Sequence, residues 1–183
     1  MHAALPFGGS VMQVARWLAA ASVAVGLAAT TAIPQSAQAR EIVGFSGSYS
    51  AGTVVVRTNE KSLYYVLGGG KAVRYPVGVA RAGRLWSGST FINDKALRPT
   101  WVPPPVVRRD KPNLPSLIPG GAPSNPLGAA VMTLAGGEYA IHGTNNPGSI
   151  GGNMSYGCIR MLNADVLDLY GRVGFGTKVI VTP

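Results

Sequence analysis

Short runs of β-branched and aromatic residues, rather than long helical stripes, dominate the hydrophobic pattern of this chain. Residues 63–67 and 72–78 are two such runs, and the glycines 68–70 separate them. Two apolar runs around a glycine turn are typical of a β-hairpin. Further strands are predicted at residues 53–57, 127–134, 138–142 and 177–182.

One segment follows the 3.6-residue period of an α-helix. Asn163 looks like its N-cap, residues 164–173 form its body, and Gly174 supplies a stop signal. Its predicted apolar face carries Val166, Leu167, Tyr170 and Val173. Together with the strands, this pattern predicts one compact domain that is mainly β with one short helix.

The proline-rich segment 99–126 shows few periodic positions. We expect it to form a long irregular excursion from the domain rather than a linker between two domains. Irregular segments of this length inside a compact domain usually serve as the lid or wall of a functional site.

An uncharged apolar run at residues 17–33 precedes these elements, with Arg16 in front of it. Residues 37–39 (Ala-Gln-Ala) then give the small-x-small pattern of a signal peptidase site. We therefore predict a cleaved signal sequence at 1–39 and a domain at 40–183 that is exported to the periplasm or cell wall. The alternative is an uncleaved membrane anchor, for which the run is short, since a span takes about 20 residues.

The chain is basic, because 16 Lys and Arg against 7 Asp and Glu give a formal net charge of +9 at pH 7. Only Arg16 lies in the predicted signal, so the remaining domain retains a charge of +8. The basic residues are scattered, and an exported protein is not expected to meet nucleic acid. An anionic partner such as a cell-wall polymer or a membrane surface fits this charge. A basic surface that only faces solvent fits it equally well.

A single cysteine and two histidines limit the chemistry that this chain can perform. One cysteine excludes an intrachain disulfide and every multi-cysteine zinc site, and we expect neither a metal nor another cofactor. His2 lies in the predicted signal, so the domain keeps one histidine, His142, and one cysteine, Cys158.

His142 and Cys158 fit the requirements of cysteine catalysis. A thiol with a pKa of about 8.5 is only slightly ionised at neutral pH, and a nearby imidazole removes this limit by taking the proton. Gly157 before Cys158 favours backbone amides that point at an oxyanion. Arg160 shares the face of Cys158 in an extended segment, where it can lower the thiol pKa or hold a substrate carboxylate. A buried structural cysteine and a structural histidine are the alternative interpretation.

The stretch IHGTNNPGSIGGNMSYGCIRMLNADVLDLY, which begins at Ile141, resembles the signature of the L,D-transpeptidases, the YkuD catalytic domain family. That signature is a His-Gly pair, a short glycine-containing loop and then Ser-x-Gly-Cys-x-Arg. Other segments that look like blocks of the family are 75–79 (YPVGV), 99–103 (PTWVP), 125–128 (NPLG) and 176–179 (GTKV). The resemblance implies a single-domain, mainly β fold with β-sandwich-like mixed sheets and one short helix.

The resemblance also implies a role for each matching residue. Cys158 matches the acylated nucleophile and His142 the general base. Gly143 matches the position whose main-chain carbonyl orients the imidazole, and Ser155 matches a serine that supports the site. The implied oxyanion hole comprises the backbone amides of Tyr156, Gly157 and Cys158. The implied substrate contacts are Arg160, Tyr156 and Asn145.

Two segments depart from the family pattern. Tyr156 stands where the family often has a histidine, which puts a secondary proton relay in doubt. Residues 85–91 (LWSGSTF) stand where a Thr-Pro-x-Gly-x-Phe block is frequent, which puts the shape of the donor groove in doubt.

The function implied by the resemblance is acyl transfer on peptidoglycan stem peptides. Cys158 is expected to attack a tetrapeptide stem, release its terminal D-Ala and pass the acyl group to an amine of a second stem, a wall-attached protein or a D-amino acid. With water as acceptor the enzyme is an L,D-carboxypeptidase, and a non-catalytic wall-binding domain is a further alternative. Sortase-like enzymes separate His and Cys much more widely, and papain-like peptidases place Cys before His.

Overall fold

The computed structural model describes residues 40–136 and 138–183. The predicted signal sequence at 1–39 lies outside the described residues. Within the part of the chain that the structure describes, neither helix has the length and apolar character needed to cross a membrane.

The described residues form ten β-strands and two α-helices. The strands are β1 Glu41–Gly44, β2 Val54–Arg57, β3 Ser62–Gly68, β4 Lys71–Ala80, β5 Gly88–Leu97, β6 Ala130–Leu134, β7 Ala140–His142, β8 Asn153–Ser155, β9 Ile159–Met161 and β10 Lys178–Thr182. The helices are α1 Pro105–Asp110 and α2 Asn163–Arg172. A single 3₁₀ turn, Pro147–Ser149, interrupts the glycine-rich loop between β7 and β8.

The strands form a mixed sheet that closes on itself. Its order is β1-β4-β3-β2-β10-β5-β6-β7-β9, and β9 pairs again with β4, where Val77 lies opposite Met161. The β10–β2, β7–β9 and β4–β8 pairs are parallel, and the other pairs are antiparallel. This confirms the mainly β fold of mixed pairings, and the closure brings the short strand β9 against the long strand β4.

The predicted β3–β4 hairpin is confirmed, because β3 and β4 pair antiparallel on either side of the glycine turn. Burial of apolar side chains stabilises its strands, as the sequence pattern predicted. In β2, β3 and β4 most apolar side chains are buried, and Leu63, Tyr75 and Val77 are completely inaccessible to solvent. Burying such side chains is the main favourable term in folding, at about 25 cal/mol per Å² of apolar surface.

Helix α2 differs from its prediction at both ends. Asn163 is the first helical residue rather than the N-cap, and its side chain does not cap the helix. Gly174 is not the stop either, since the helix ends at Arg172 and Val173 leaves it in an extended conformation.

The predicted apolar face of α2 is also partly wrong. Val166, Leu169 and Val173 are buried, whereas Leu167 is 45% exposed. Successive helical residues are rotated by 100°, so Leu169, three positions after Val166, shares its face and Leu167 does not. The core side of the helix therefore carries Val166 and Leu169, and Val173 is buried just beyond the end of the helix.

The excursion at residues 99–126 is more ordered than the sequence indicated. It contains helix α1, whose first residue is Pro105, and an isolated bridge between Trp101 and Ile118. A proline in the first turn of a helix costs no hydrogen bond, because that N–H has no helical partner. Asn125 closes the excursion: its side-chain amide donates to the carbonyl oxygens of Pro99 (2.8 Å) and Pro119 (3.0 Å).

Candidate active site

Strands β7 and β9 bring the predicted catalytic residues onto one surface. The two strands pair in parallel, with His142 opposite Arg160 and Ile141 opposite Ile159. Cys158 immediately precedes β9, two positions before Arg160, so these two side chains share a face of an extended segment. The three residues also line one cavity of about 470 Å³. The structure therefore brings His142, Cys158 and Arg160 together.

The orientation of the His142 ring is fixed by the residue that follows it. Its Nδ1 lies 2.6 Å from the carbonyl oxygen of Gly143. Because a carbonyl only accepts hydrogen bonds, Nδ1 must carry the proton, which leaves Nε2 of the neutral ring as a free base. The structure thus places the Gly143 carbonyl where it selects the tautomer that a general base needs.

Burial favours the neutral forms of both His142 and Cys158. It lowers the pKa of His142 to about 4; the hydrogen bond with Gly143 opposes this shift, and the positive charge of Arg160 adds to it. Burial also raises the pKa of the Cys158 thiol, against a backbone hydrogen bond with Ala140 and the charge of Arg160. Both shifts favour a thiol beside a neutral imidazole at neutral pH.

Ser155 fixes the turn that carries the nucleophile. Its hydroxyl donates to the carbonyl oxygen of Cys158 at 2.6 Å and accepts from the amide N–H of Gly157 at 3.2 Å. Ser155 is buried and ends strand β8, which pairs with β4 at Ala80. The side chain therefore connects both ends of the turn to the closed sheet.

Of the three backbone amides predicted to form the oxyanion hole, one already donates a hydrogen bond within the protein and two do not. The Gly157 N–H is already donated to Ser155, whereas the Tyr156 and Cys158 N–H groups have no acceptor among the described residues. Gly157 itself has φ +138°, and a Cβ at this position would overlap the ring of Tyr139. In this conformation Tyr156 and Cys158 are the available donors.

The cavity is cationic. Arg84 and Arg160 both line it, and Glu138 is the one acidic residue among its described lining groups. Neither arginine has a carboxylate within ion-pair distance in the described part of the chain, and the buried Nε of Arg160 has no hydrogen-bond partner there. An unpaired guanidinium in a partly buried site is suited to bind an anionic group of a ligand.

The excursion 99–126 forms one side of this cavity through Trp101, Pro126 and the first turn of α1. A polar cluster joins α1 to the rest of the site: Asp110 accepts from Arg81 (3.1 Å) and from the Tyr156 hydroxyl (3.0 Å). The Arg81 guanidinium also lies 4.1 Å from the centre of the Tyr156 ring. Tyr156 thus connects the turn that carries Cys158 to α1, and its hydroxyl donates to Asp110.

Asn145 is the one predicted substrate-contact residue that the structure does not bring into the cavity. It is exposed, on the loop after His142, and it is absent from the cavity lining. Across residues 40–136 and 138–183, no group of three or more His, Cys, Asp or Glu side chains is arranged to hold a metal ion.

Sequence reasoning missed the role of Asn163. Its side-chain oxygen accepts from the amides of Ala129 (3.0 Å) and Thr144 (3.1 Å), and so connects strand β6 to the loop that follows His142. The N-cap prediction expected the Asn163 side chain to accept hydrogen bonds from nearby backbone N–H groups of its own helix. The two donors instead lie 34 and 19 residues away in the chain. Spacing in the sequence carries no signal for such a contact.

Comparison with known proteins agrees with this geometry. The family described as the L,D-transpeptidase catalytic domain, YkuD, matches residues 51–181. Two curated relatives from Escherichia coli strain K12, "Probable L,D-transpeptidase ErfK/SrfK" and "Probable L,D-transpeptidase YcfS", are each 38% identical over 69% of this chain. The matched region covers 42% of each of those proteins, so this chain spans less than half of their length.

Solved structures show the same fold. The catalytic domain of an L,D-transpeptidase from E. faecium, determined by NMR, superposes with a TM-score of 0.56 at 18% identity, covering 74% of this chain and all of that chain. L,D-transpeptidase 3 from Mycobacterium tuberculosis gives a TM-score of 0.56 at 15% identity, covering 72% of this chain and 60% of that one. The family match over most of the domain shows that this chain belongs to the YkuD family of L,D-transpeptidase catalytic domains.

Proposed function

We propose that this protein is an exported L,D-transpeptidase that acts on peptidoglycan tetrapeptide stems through a thioester on Cys158. The observation that carries the proposal is the placement of Cys158, His142 and Arg160 on one face of β7 and β9, lining a cationic cavity. Membership of the family supplies the reaction class, and the neutral resting pair suits a nucleophile activated by its base.

In the first half-reaction the thiol gives its proton to Nε2 of His142 as sulfur attacks the carbonyl that precedes the terminal D-Ala. Backbone N–H groups of the nucleophile turn stabilise the oxyanion that develops, which is usually the largest electrostatic contribution in such chemistry. The imidazolium then protonates the nitrogen of the departing D-Ala, and the C–N bond breaks. The products are a Cys158 thioester, free D-Ala and neutral His142.

In the second half-reaction an amine attacks the thioester. His142 accepts the proton that the amine loses, the C–S bond breaks, and the thiol is restored. The sum is exchange of one amide bond for another, with no cofactor consumed. Arg160 is suited to hold a carboxylate of the donor stem, because its guanidinium lies in the cavity without a carboxylate partner among the described residues.

A donor assay with the purified protein tests this proposal. A tetrapeptide muropeptide is incubated with and without an added D-amino acid, and D-Ala release and product masses are measured. We expect D-Ala release together with cross-linked or amine-exchanged products. Cys158→Ala should release none. Release that yields only the tripeptide identifies water as acceptor and a carboxypeptidase. Binding without release from the wild type contradicts the enzyme proposal and favours a wall-binding domain.

Arg160→Ala gives a second test, directed at substrate binding. Loss of a charge-assisted hydrogen bond costs about 1.5–3 kcal/mol, so the KM for the donor should rise roughly 10- to 100-fold. Lys178→Ala is the matched control, because it removes one positive charge from an exposed position that does not line the cavity. An unchanged KM in Arg160→Ala contradicts a role for Arg160 in binding the donor.

We further propose that the signal is cleaved after Ala39 during export. The support is the apolar run followed by Ala-Gln-Ala at 37–39. N-terminal sequencing of protein recovered from outside the cytoplasm should begin at Arg40. Recovery of membrane-bound protein that begins at Met1 establishes an anchor instead.

A further inference from the structure

Trp86 lies next to the active site but does not line its cavity. It belongs to the segment 85–91, which departs from the family's Thr-Pro-x-Gly-x-Phe pattern. Its ring stacks on Tyr139, with centroids 5.1 Å apart and an interplanar angle of 10°. Tyr139 does line the cavity, so Trp86 lies behind the aromatic residue that substrate meets.

The indole nitrogen of Trp86 forms a hydrogen bond with the turn that carries Cys158. Its indole N–H donates to the carbonyl oxygen of Gly157 at 2.9 Å. This carbonyl belongs to the peptide unit that joins Gly157 to Cys158. In a trans peptide unit the C=O and the following N–H point in opposite directions. A donor that fixes the Gly157 carbonyl on one side therefore fixes the Cys158 N–H on the other.

We propose that Trp86 is a positioning residue that orients the Cys158 amide as an oxyanion donor. The indole hydrogen bond holds the 157–158 peptide plane so that the Cys158 N–H, which has no acceptor among the described residues, is available to the developing negative charge. Trp86 does not line the cavity that Cys158 lines. It acts only through the orientation of this peptide plane.

The other hydrogen bonds of the turn do not involve the 157–158 peptide unit, so the contact with Trp86 is the one that orients it. Ser155 binds the Gly157 N–H and the Cys158 carbonyl, which fixes the peptide units on either side of the 157–158 unit. Gly157 has no side chain to restrict its backbone, and its φ of +138° is a conformation that other residues rarely adopt. Trp86 makes the one side-chain hydrogen bond to this unit among the described residues.

This inference rests on the proposed acyl transfer, so the test compares two reactions of the same thiol in the full-length protein. Acylation by a carbapenem builds an oxyanion, whereas alkylation by iodoacetamide displaces iodide and builds none. Both rates are followed by intact-mass spectrometry. In Trp86→Phe, which keeps an aromatic ring and loses the N–H, acylation should slow about 5- to 50-fold, below the 10²–10³ measured for deleting a whole oxyanion donor. Alkylation should stay within twofold of the wild type.

Two further proteins make the result interpretable. Tyr65→Phe is the matched control, since it also removes an aromatic donor to a backbone carbonyl, that of Arg172, and neither residue lines the cavity. Both of its rates should equal those of the wild type. Replacing Trp86 by β-(3-benzothienyl)alanine, which exchanges the indole N–H for sulfur in a ring of the same shape, gives the same measurement if Trp86→Phe does not fold.

The outcomes separate the inference from the proposed function. Slow acylation with normal alkylation supports the positioning role. Acylation within twofold of the wild type in a folded Trp86 variant overturns it. Equal slowing of both reactions also overturns it, because Trp86 then acts on access to the thiol or on its ionisation. A wild-type protein that the carbapenem never acylates overturns both the inference and the proposed function.

Discussion

The two sides of the cavity are built in different ways. One side, here called the catalytic floor, comprises β7, β9 and the turn that carries Cys158. It belongs to the closed sheet, and His142, Ser155 and Ile159 are buried in it. The other side, here called the proline-rich wall, is the excursion 99–126. Its helix α1 has no buried residue and is joined to the floor by the exposed Arg81–Asp110–Tyr156 cluster.

This difference suggests that the floor positions the proposed catalytic residues and that the wall adapts to the substrate. The backbone ladder and buried contacts of the floor hold His142, Cys158 and Arg160 in position, which is what the proposed acyl transfer needs. Regions with few buried contacts open at lower free-energy cost than core strands. Helix α1 is therefore the part of the site that we expect to adjust to substrates of different size, and substitutions in the two regions should affect different kinetic constants.

The largest effect is expected from His142→Ala in the floor. Removing the one imidazole of the described domain should lower turnover of a tetrapeptide donor by about 10²–10⁴-fold, the usual contribution of general acid–base catalysis. D-Ala release measures it. His142→Asn keeps a side-chain donor for the Gly143 carbonyl and controls for folding of the buried site. Turnover near that of the wild type in either variant contradicts the role of His142 as base.

A smaller effect is expected from pH. Burial raises the pKa of Cys158 and lowers that of His142 to about 4, so both shifts favour the neutral groups at neutral pH. The thiolate fraction should rise about tenfold per pH unit below the thiol pKa, so iodoacetamide alkylation should be about 100-fold faster at pH 8.5 than at pH 6.5. N-acetylcysteine is the reference thiol. A rate plateau below pH 7 instead indicates an imidazolium–thiolate pair at rest.

The smallest effect is expected in the wall. Asp110→Asn removes the ion pair with Arg81 and weakens the hydrogen bond from Tyr156, so the KM for the donor should rise about 2- to 5-fold with kcat unchanged, as is typical of exposed pairs. Asp94→Asn, an exposed carboxylate on β5, is the matched control. A fall in kcat equal to that of a floor variant contradicts the separation of the two regions.

The pH dependence of the wall has a definite sign. Hydrogen bonds from Arg81 and Tyr156 lower the pKa of Asp110 to about 2. A lowered carboxyl pKa means that the cluster is fully formed above the ordinary Asp value and is lost as pH falls through about 2. Asp110→Asn should therefore have a pH–rate profile parallel to that of the wild type between pH 5 and 9. High salt should weaken the wild-type cluster through screening and leave the variant unaffected.

The sequence predicted the buried strands β2, β3 and β4 far better than the proline-rich wall, whereas it predicted no strand at β9 of the floor. Residues 53–57, 63–67 and 72–78 carry mostly buried β-branched and aromatic side chains, and burial leaves a pattern that can be recognised. Strand β5 escaped prediction because most of its residues are at least partly exposed, with Ile92 as its one fully buried side chain. Exposed strands carry little hydrophobic pattern, so their existence depends on the pairing partners.

The same reasoning explains what was missed in the site. The His142–Cys158–Arg160 set lies within 19 residues, and its spacing and glycines can be recognised in a sequence. The Arg81–Asp110–Tyr156 cluster joins three segments that are 29 to 75 residues apart, and the Trp86–Gly157 hydrogen bond spans 71 residues. Contacts between segments so far apart in the chain depend on the tertiary fold, so the spacing of the residues in the sequence gives no signal for them.

The contact between Gly157 and Tyr139 has a consequence for directed evolution of this protein. A Cβ at position 157 would overlap the Tyr139 ring, so a library that varies position 157 alone is expected to return glycine only. A smaller residue at 139 would remove this overlap, but it would leave the φ of +138° at position 157 and would remove the stacking partner of Trp86. Glycine is therefore expected to persist at 157 even in a library that varies positions 86, 139 and 157 together.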